Sequence, residues 1–287
     1  MTDRKRACRD HGADWDVASA GRNVCLLAVV AMFCLGPLGW QVVASVKPDE
    51  ELVRLPPLFP TRLTAAHYER VLFHSPLVQA LINSTVVATG TTVVALVLGS
   101  CCAFALARLP ITGRPMILGA ILMASMFPPI AIISPLYLTM REMGLRDSLI
   151  ALGLAHTVHA LPLTIWLLTV AFRQLPRELY HAARIDGCTP LKALLTVILP
   201  PARPGLAVAG LLTFIHSWNE FMFALTLTAS DAARTAPVAI ALFPGLHDIP
   251  WGDLAAASII VTLPVAGLAA FFSRHLIGGL TAGSVKG

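Results

Sequence analysis

The sequence predicts an all-α fold, a polytopic membrane bundle of six transmembrane helices with one helical segment outside the membrane. Its 287 residues are 56% hydrophobic and 13% charged, with a mean hydropathy of +0.74, whereas about a quarter of the residues in soluble domains are charged. Six apolar stretches each approach the ~20 residues with which a helix crosses ~30 Å of hydrocarbon. Between the fourth and the fifth lies a basic segment punctuated by proline and glycine, residues 175–203.

The predicted spans follow one another along the chain. The first is too long for a signal peptide and is followed by Lys47-Pro48-Asp49 instead of a small-residue cleavage site, so we expect it to be retained. Pro128-Pro129 and Pro135 in the third stretch, and Pro162 in the fourth, predict broken or kinked helices, either beside water or packed statically against neighbours. The six stretches are Val24–Val46, Leu81–Ala107, Pro115–Met140, Ser148–Phe172, Pro204–Thr228 and Leu254–Phe272.

The distribution of positive charge predicts the orientation of the bundle. With six spans and a cytoplasmic N-terminus, 14 of the 21 Lys and Arg residues fall on the cytoplasmic side and 7 on the other. Cytoplasmic loops of membrane proteins carry such an excess, so we expect both termini in the cytoplasm. The predicted domains are an N-terminal tail (1–22), a six-span domain (23–277) and a C-terminal tail (278–287). The six cysteines form no CxxC pair and are expected to be unpaired.

The 175–203 segment is predicted to hold two short helices. The first, Leu175–Gly187, has a proline in its first turn, an acid behind it, a basic residue near its end and a glycine at its stop. The second, Leu191–Leu199, begins after Thr189-Pro190 and closes at Pro200-Pro201. An ordered helical element outside the membrane indicates a surface for a partner.

On the first of these helices, four residues at helical spacing are predicted to share one face: Leu179, Ala182, Ala183 and Asp186. Two alanines on that face leave room for the backbone of another protein to come close. The alternative is a helix that lies on lipid headgroups, for which the segment has few large hydrophobic residues.

One acid, Glu220, lies within the core of a predicted span. A charge near the bilayer centre costs at least ~2.5–3.5 kcal/mol, so Glu220 is expected to face protein or water and to have a partner. His216 lies one turn earlier on the same face, with Asn219 and Thr213 alongside. This face is either a functional surface, along a path or against a partner subunit, or a hydrogen-bonded lock between helices.

Two kinds of chemistry are not expected. His156 and His159, together with His216 and Glu220, would assemble a metal site on paper, but an i, i+3 pair of histidines alone is weak support for one. We therefore predict no metal and no cofactor. The sequence contains no Gly-x-x-x-x-Gly-Lys-Ser/Thr phosphate loop, so the chain is not expected to bind ATP itself.

The 175–203 segment resembles the EAA motif of the inner-membrane permeases of ABC importers. The matching residues are Glu178–Gly187, reading Glu-Leu-Tyr-His-Ala-Ala-Arg-Ile-Asp-Gly, and Ile198-Leu199-Pro200. His181 stands where the motif has its first acid, so the family's Glu has no counterpart here. The resemblance extends over nearly the whole chain to the MalG-like permeases of carbohydrate uptake, through Ser45–Pro48, Asn83-Ser84, Ala103–Arg108, Pro135–Tyr137, Ser217–Phe221, Trp251–Asp253 and Gly279–Gly287.

The resemblance implies a role for individual residues. The 175–203 segment would be a cytoplasmic coupling helix that docks on an ATPase through Glu178, Leu179, His181, Ala182, Ala183, Asp186, Gly187, Ile198 and Pro200. The C-terminal tail would reach toward the ATPase pair with Gly283 and Lys286. Candidates for the translocation path are Asn83, His216, Asn219 and Glu220.

The resemblance also implies an assembly in the cytoplasmic (inner) membrane. Its other members would be a homologous second permease, two cytoplasmic ATPase subunits and an extracytoplasmic sugar-binding protein, with no nucleic acid. The expected function is that of a non-enzymatic permease subunit in an ATP-driven importer for a sugar, an oligosaccharide or a related polyol or glycerol phosphate. Two alternatives are a self-contained proton-coupled secondary transporter that uses Glu220 and His216, and an intramembrane metal hydrolase built on His156 and His159.

Overall fold

The computed structural model describes the backbone of residues 4–53, 59–243 and 249–281 and the side chains of residues 22–52, 59–243 and 249–272. Within these ranges every regular element is helical, which confirms the predicted all-α polytopic bundle. The helices are α1 (Arg4–Ser45), α2 (Asp49–Val53), α3 (Ala66–Phe73), α4 (Leu77–Arg108), α5 (Arg114–Ser125), α6 (Pro129–Glu142), α7 (Leu149–Gln174), α8 (Glu178–Ile185), α9 (Pro190–Ala193), α10 (Arg203–Trp218), α11 (Met222–Leu227), α12 (Ala236–Ala241) and α13 (Trp251–Thr281).

Four helical segments in the described part of the chain are individually long and apolar enough to cross a membrane. They match the first, second, fourth and sixth predicted spans and are Arg22–Ser45, Leu77–Arg108, Leu149–Gln174 and Trp251–Phe272. Two further pairs of helices pass the same test only when each pair is taken together across a sharp bend, so the number of spans lies between four and six. Pro162 lies inside α7 without ending it.

The third predicted span is broken where the sequence predicts it. Helix α5 ends at Ser125, α6 begins at Pro129, and the two are bent by 83°. Neither Pro128 nor Pro129 has an N–H to continue the hydrogen-bond ladder of α5, which is why the helix stops there. Pro135 lies inside α6 and does not interrupt it.

The fifth predicted span, Pro204–Thr228, is also interrupted, at a place where no proline marks the break. Helix α10 ends at Trp218 and α11 begins only at Met222. At its other end α10 is bent by 95° from the helical stretch Pro190–Ile198, the second short helix of the 175–203 segment. The fifth stretch therefore consists of a helix, a three-residue break and a short second helix.

The chain forms two compact units, one of Val71–Pro244 with Ile260–Gly287 and the other of Met1–Arg70 with Gly245–Ile259. In the first unit α4, α7 and α10 pack on one another, and small residues bring their backbones close. A Cβ placed on Gly205 of α10 would lie 2.5 Å from the Cβ of Ala171 in α7, and one on Gly99 of α4 would lie 3.0 Å from Cγ2 of Thr164. These helices form the frame that carries the candidate site.

The second unit contains a buried polar cluster. The ring of His67 is almost fully buried, with Nδ1 2.7 Å from Oδ1 of Asp253 and Nε2 2.7 Å from the carbonyl oxygen of Lys47. Arg70 donates to Asp253 at 2.8 Å and to Asp49 at 3.0 Å, and its hydrogen bond to Asp253 raises the pKa of Arg70. The cluster ties helix α3 to the start of α13.

The cysteines whose side chains the structure describes are unpaired, as the sequence predicts. Cys25, Cys34, Cys101, Cys102 and Cys188 are all free thiols. Cys8, Gly283 and Lys286 lie outside the residues whose side chains the structure describes, so the predicted tail contacts stay predictions.

Candidate functional site

Helix α8 has the predicted start and stop. Glu178 lies in its first turn and Arg184 in its last, where each charge complements the helix dipole. The chain then turns at Gly187, whose φ of 80° lies in the left-handed region that favours glycine. The N–H of Gly187 donates to Arg184 at 3.2 Å, and that of Cys188 to Ala183 at 2.9 Å, which satisfies carbonyls at the helix end.

One face of α8 is part of the protein core. Tyr180 and Ala183 are buried, and the ring of Tyr180 meets that of Phe104 in α4 edge to face at a centroid distance of 5.5 Å. The predicted grouping of Ala182 with Ala183 on one docking face is therefore wrong, because Ala183 packs inside the chain. Leu179 is half-buried against the same cluster.

The other face of α8 is exposed. Five exposed side chains form this face, and the exposed Arg184 lies beside them. The five are Glu178, His181, Ala182, Ile185 and Asp186. Ile185 is 85% exposed, a large apolar side chain without cover on a polar helix. Ile185 is not among the predicted docking residues, although Tyr180 and Ala183 at i, i+3 spacing define an inner face from which Ile185 points away.

The second short helix of the 175–203 segment starts as predicted. The hydroxyl of Thr189 accepts from the N–H of Lys192 at 3.3 Å, and Pro190 occupies the first turn. The helix widens into a π-helical turn at Leu194–Ile198. Ile198 is fully buried, so its predicted direct contact with a partner is wrong, whereas Pro200 is exposed.

The break in the fifth stretch is organised by Glu220. Its carboxylate accepts from the N–H of Phe223 at 2.9 Å and from that of Ala224 at 3.1 Å, so it caps the start of α11. Its Oε2 also lies 3.1 Å from Nε2 of His156 in α7. Nδ1 of His156 lies 2.8 Å from the hydroxyl of Ser217 in α10. Glu220 and His156 together thus link α7, α10 and α11. The acid was expected to have a partner, and His156 is that partner.

Next to this lock lies an open pocket of about 600 Å³. The ring of His216 stacks on that of His159 at a centroid distance of 4.8 Å, and both line the pocket. Asn219 is exposed at its edge, and its amide donates to the carbonyl of Ile215 at 3.0 Å. Of the predicted path residues, His216, Asn219 and Glu220 are therefore brought together on one surface.

Asn83 does not belong to that surface. Its side chain is 1% exposed and donates to the carbonyls of Ala232 at 3.0 Å and Arg234 at 2.9 Å. Its oxygen accepts from the amide of Gln79 at 2.9 Å. The prediction that Asn83 lines a path is wrong, because its polar atoms tie α4 to the loop before α12.

Asp147, just before α7, makes a further set of polar contacts near the site. Asp147, with a φ of 57°, accepts from the N–H of Ala229 at 2.8 Å and from the hydroxyl of Ser230 at 2.7 Å. These bonds join the start of α7 to the end of α11.

Among the side chains that the structure describes, no group of three or more His, Cys, Asp or Glu is arranged to hold a metal ion.

Comparisons with known proteins identify the family. Residues 77–278 match the family described as "Binding-protein-dependent transport system inner membrane component". The chain is 41% identical to the trehalose transport system permease protein SugB of Mycobacterium tuberculosis over 90% of this chain and 95% of that protein. It is 39% identical to the trehalose/maltose transport system permease protein MalG of Thermococcus litoralis, over 90% and 94%.

A third relative is the sulfoquinovosyl glycerol transport system permease protein SmoH of Agrobacterium fabrum, 39% identical over 88% of this chain and 89% of that protein. Among solved structures, a chain of a bacterial ABC transporter involved in the import of alginate shares the fold. Its TM-score is 0.78 at 21% identity, with 90% of this chain and 96% of that chain covered. The chain therefore belongs to the family of inner-membrane permease components of binding-protein-dependent transport systems.

Proposed function

We propose that this chain is the permease subunit of an ATP-driven importer for a carbohydrate and that it is coupled to its ATPases through α8. The relatives named above for trehalose, for trehalose and maltose and for sulfoquinovosyl glycerol support the substrate class. The observation that carries the coupling role is the two-sided packing of α8. Its inner face is fixed in the core, while Ile185 and Ala182 are presented outward.

The complete importer would contain a second homologous permease, two ATPase subunits and an extracytoplasmic sugar-binding protein. This chain would be non-catalytic, with ATP hydrolysed on the partner chains. Both termini would be cytoplasmic, on the same side as α8, in keeping with the excess of basic residues predicted there. A reporter fused after Gly287 should be active only in the cytoplasm; activity in the exported compartment would refute this orientation.

Docking through α8 is tested by tryptophan at two neighbouring positions. Ala182→Trp enlarges the exposed face, so we expect a folded subunit that fails to retain the ATPase on purification. Ala183→Trp overfills the core and should lower the yield of the subunit itself. His181→Glu changes charge but not the approach of the backbones, and should retain assembly and part of the uptake. An Ala182→Trp variant that assembles and transports like the parent would exclude this docking face.

The pocket beside Glu220 is the best-supported place for the carbohydrate to pass. Asn219 offers an amide, the ordinary hydrogen-bonding partner of hydroxyl groups, and the neighbouring Phe221 is exposed. Asn219→Trp would fill the pocket and should abolish uptake while the ATPase still co-purifies. The matched control is Val158→Trp, at an exposed position on α7 outside the pocket lining. Equal uptake by the two variants would exclude the pocket as the path.

A proton-coupled transporter that relies on Glu220 is less well supported. Its carboxylate already caps α11 and lies against His156, so a relay would have to break the lock each time the proton moved. Uptake into vesicles by this chain alone, driven by a proton gradient and lost in Glu220→Gln, would support that alternative.

A further inference from the structure

Arg108, the last residue of α4, reaches across to the end of α7. Its Nη2 lies 2.6 Å from the carbonyl oxygen of Phe172 and 2.7 Å from that of Leu175, and it donates to both. The last four carbonyls of a helix have no partner within the helix, and a cation is favoured there by the helix dipole. One side chain of α4 therefore caps the C-terminus of α7.

The capped end is also the joint that leads to α8. Helix α7 ends at Gln174, Leu175 is extended with φ of −73° and ψ of 148°, and α8 begins at Glu178. So few residues connect the two helices that the position of the Leu175 peptide sets where α8 starts. By holding the carbonyls on both sides of the helix end, Arg108 fixes that peptide.

A second contact from the same face of α4 acts on α8 directly. Phe104 lies one helical turn before Arg108 and packs edge to face against Tyr180. Phe172, whose carbonyl Arg108 binds, is fully buried in the same apolar cluster. Helix α4 thus holds the joint by hydrogen bonds and holds α8 by an aromatic contact.

We propose that Arg108 is a positioning residue for energy coupling, which keeps α4, the end of α7 and α8 moving as one body. The inference rests on the coupling role proposed for α8. When an ATPase displaces α8, a fixed joint passes that displacement to the two helices, whereas a loose joint absorbs it. Without Arg108, ATP would be hydrolysed with less solute moved for each ATP.

The test uses the complete importer reconstituted in vesicles with its ATPases and binding protein. Solute taken up for each ATP hydrolysed is measured for the parent, Arg108→Ala, Arg108→Lys and Arg173→Ala. Arg173 is a matched control because it is an exposed basic residue in the last turn of α7. We expect Arg108→Ala to lower the ratio at least fivefold with an unchanged yield of assembled complex. Arg108→Lys should recover at least half of the ratio, since an ammonium still donates to carbonyls, and Arg173→Ala should match the parent.

The proposal is overturned if Arg108→Ala keeps the parental ratio within twofold, or if Arg173→Ala lowers the ratio as much as Arg108→Ala. Loss of assembled complex in both the alanine and the lysine variants also overturns it, because a general role in stability would then account for the residue. Failure of the proposed function gives a different result. In that case the parental complex itself shows no ATP-dependent uptake.

Discussion

His156 of α7 and Glu220, in the break of the fifth stretch, face each other with Nε2 and Oε2 3.1 Å apart, and their side chains are 1% and 9% exposed. This pair ties the interrupted fifth stretch to the long fourth one. The carboxylate of Glu220 also caps α11. The pair therefore fixes the position of α11, the second half of the fifth stretch, against α7.

We predict that the two side chains stabilise the protein as a unit. His156→Gln or Glu220→Gln alone should each lower the stability of the solubilised subunit by about 1–3 kcal/mol, the cost of leaving a buried polar group without its partner. The double variant should lose less than the sum of the two, with a coupling energy of about 0.5–3 kcal/mol. Thermal unfolding in detergent measures all three. Glu142→Gln, at an exposed acid that ends α6, is the control, and strictly additive losses would contradict the pairing.

Gly187→Val should impair uptake while leaving membrane insertion largely intact. The φ of 80° at Gly187 costs a non-glycine residue about 1–2 kcal/mol and is least tolerated by a β-branched one. No atom lies within 4 Å of a Cβ built there, so backbone strain alone is tested. Gly187→Asn, which tolerates this conformation better, should retain more uptake. Equal uptake by the valine variant and the parent would refute the prediction.

Gly252→Ala should destabilise the cluster around His67. A Cβ at position 252 would overlap the imidazole ring, which is already held by Asp253 and by the Lys47 carbonyl. We expect a loss of about 1–3 kcal/mol, as for overpacking in a core. In the His67→Ala background the same change should cost much less, because the ring is gone. Gly90→Ala, in a helix where a Cβ meets open space, should cost nothing.

Asp147 should make the protein less stable as the pH becomes strongly acidic. The N–H of Ala229 and the hydroxyl and N–H of Ser230 hold the pKa of Asp147 below its ordinary value of 3.8. Since the folded pKa is lowered, the carboxylate stabilises the fold at pH values above 3.8, and this contribution is lost as the pH falls through the folded pKa. The melting temperatures of the parent and Asp147→Ala should differ by a constant amount from about pH 7 to pH 5 and converge as the pH falls below 3.8. A difference in melting temperature that persists unchanged as the pH falls well below 3.8 would contradict this assignment.

Local signals explain which parts of the fold were predictable. The break at Pro128-Pro129 and the turn at Gly187 follow from backbone chemistry that can be read from neighbouring residues. The break at Asn219–Phe221 contains neither proline nor glycine. It depends on the capping of α11 by Glu220 and on a partner in another helix, which no local pattern displays.

The faces of α8 illustrate the same limit. Helical spacing places Ala182 and Asp186, four residues apart, on one face, and both are exposed, but it does not say which side of α8 turns inward. The position of Ala183 is decided by Phe104, which anchors Tyr180 one turn earlier on α8. In the same way, the sequence shows that Asn83 is polar but not where it lies. Its amide donates to the backbone carbonyls of Ala232 and Arg234 and does not line a path.

The approach of Gly205 to Ala171 makes this contact between α7 and α10 sensitive to small displacements. At this one point the backbones meet through residues with almost no side chain, so no long group there could extend to keep contact if the helices separated. Opening a gap of about 0.5–1 Å already forfeits a quarter to a half of the attraction between two packed atoms. The Gly205–Ala171 contact is therefore short-ranged, and we expect it to be lost over a displacement of about 1 Å.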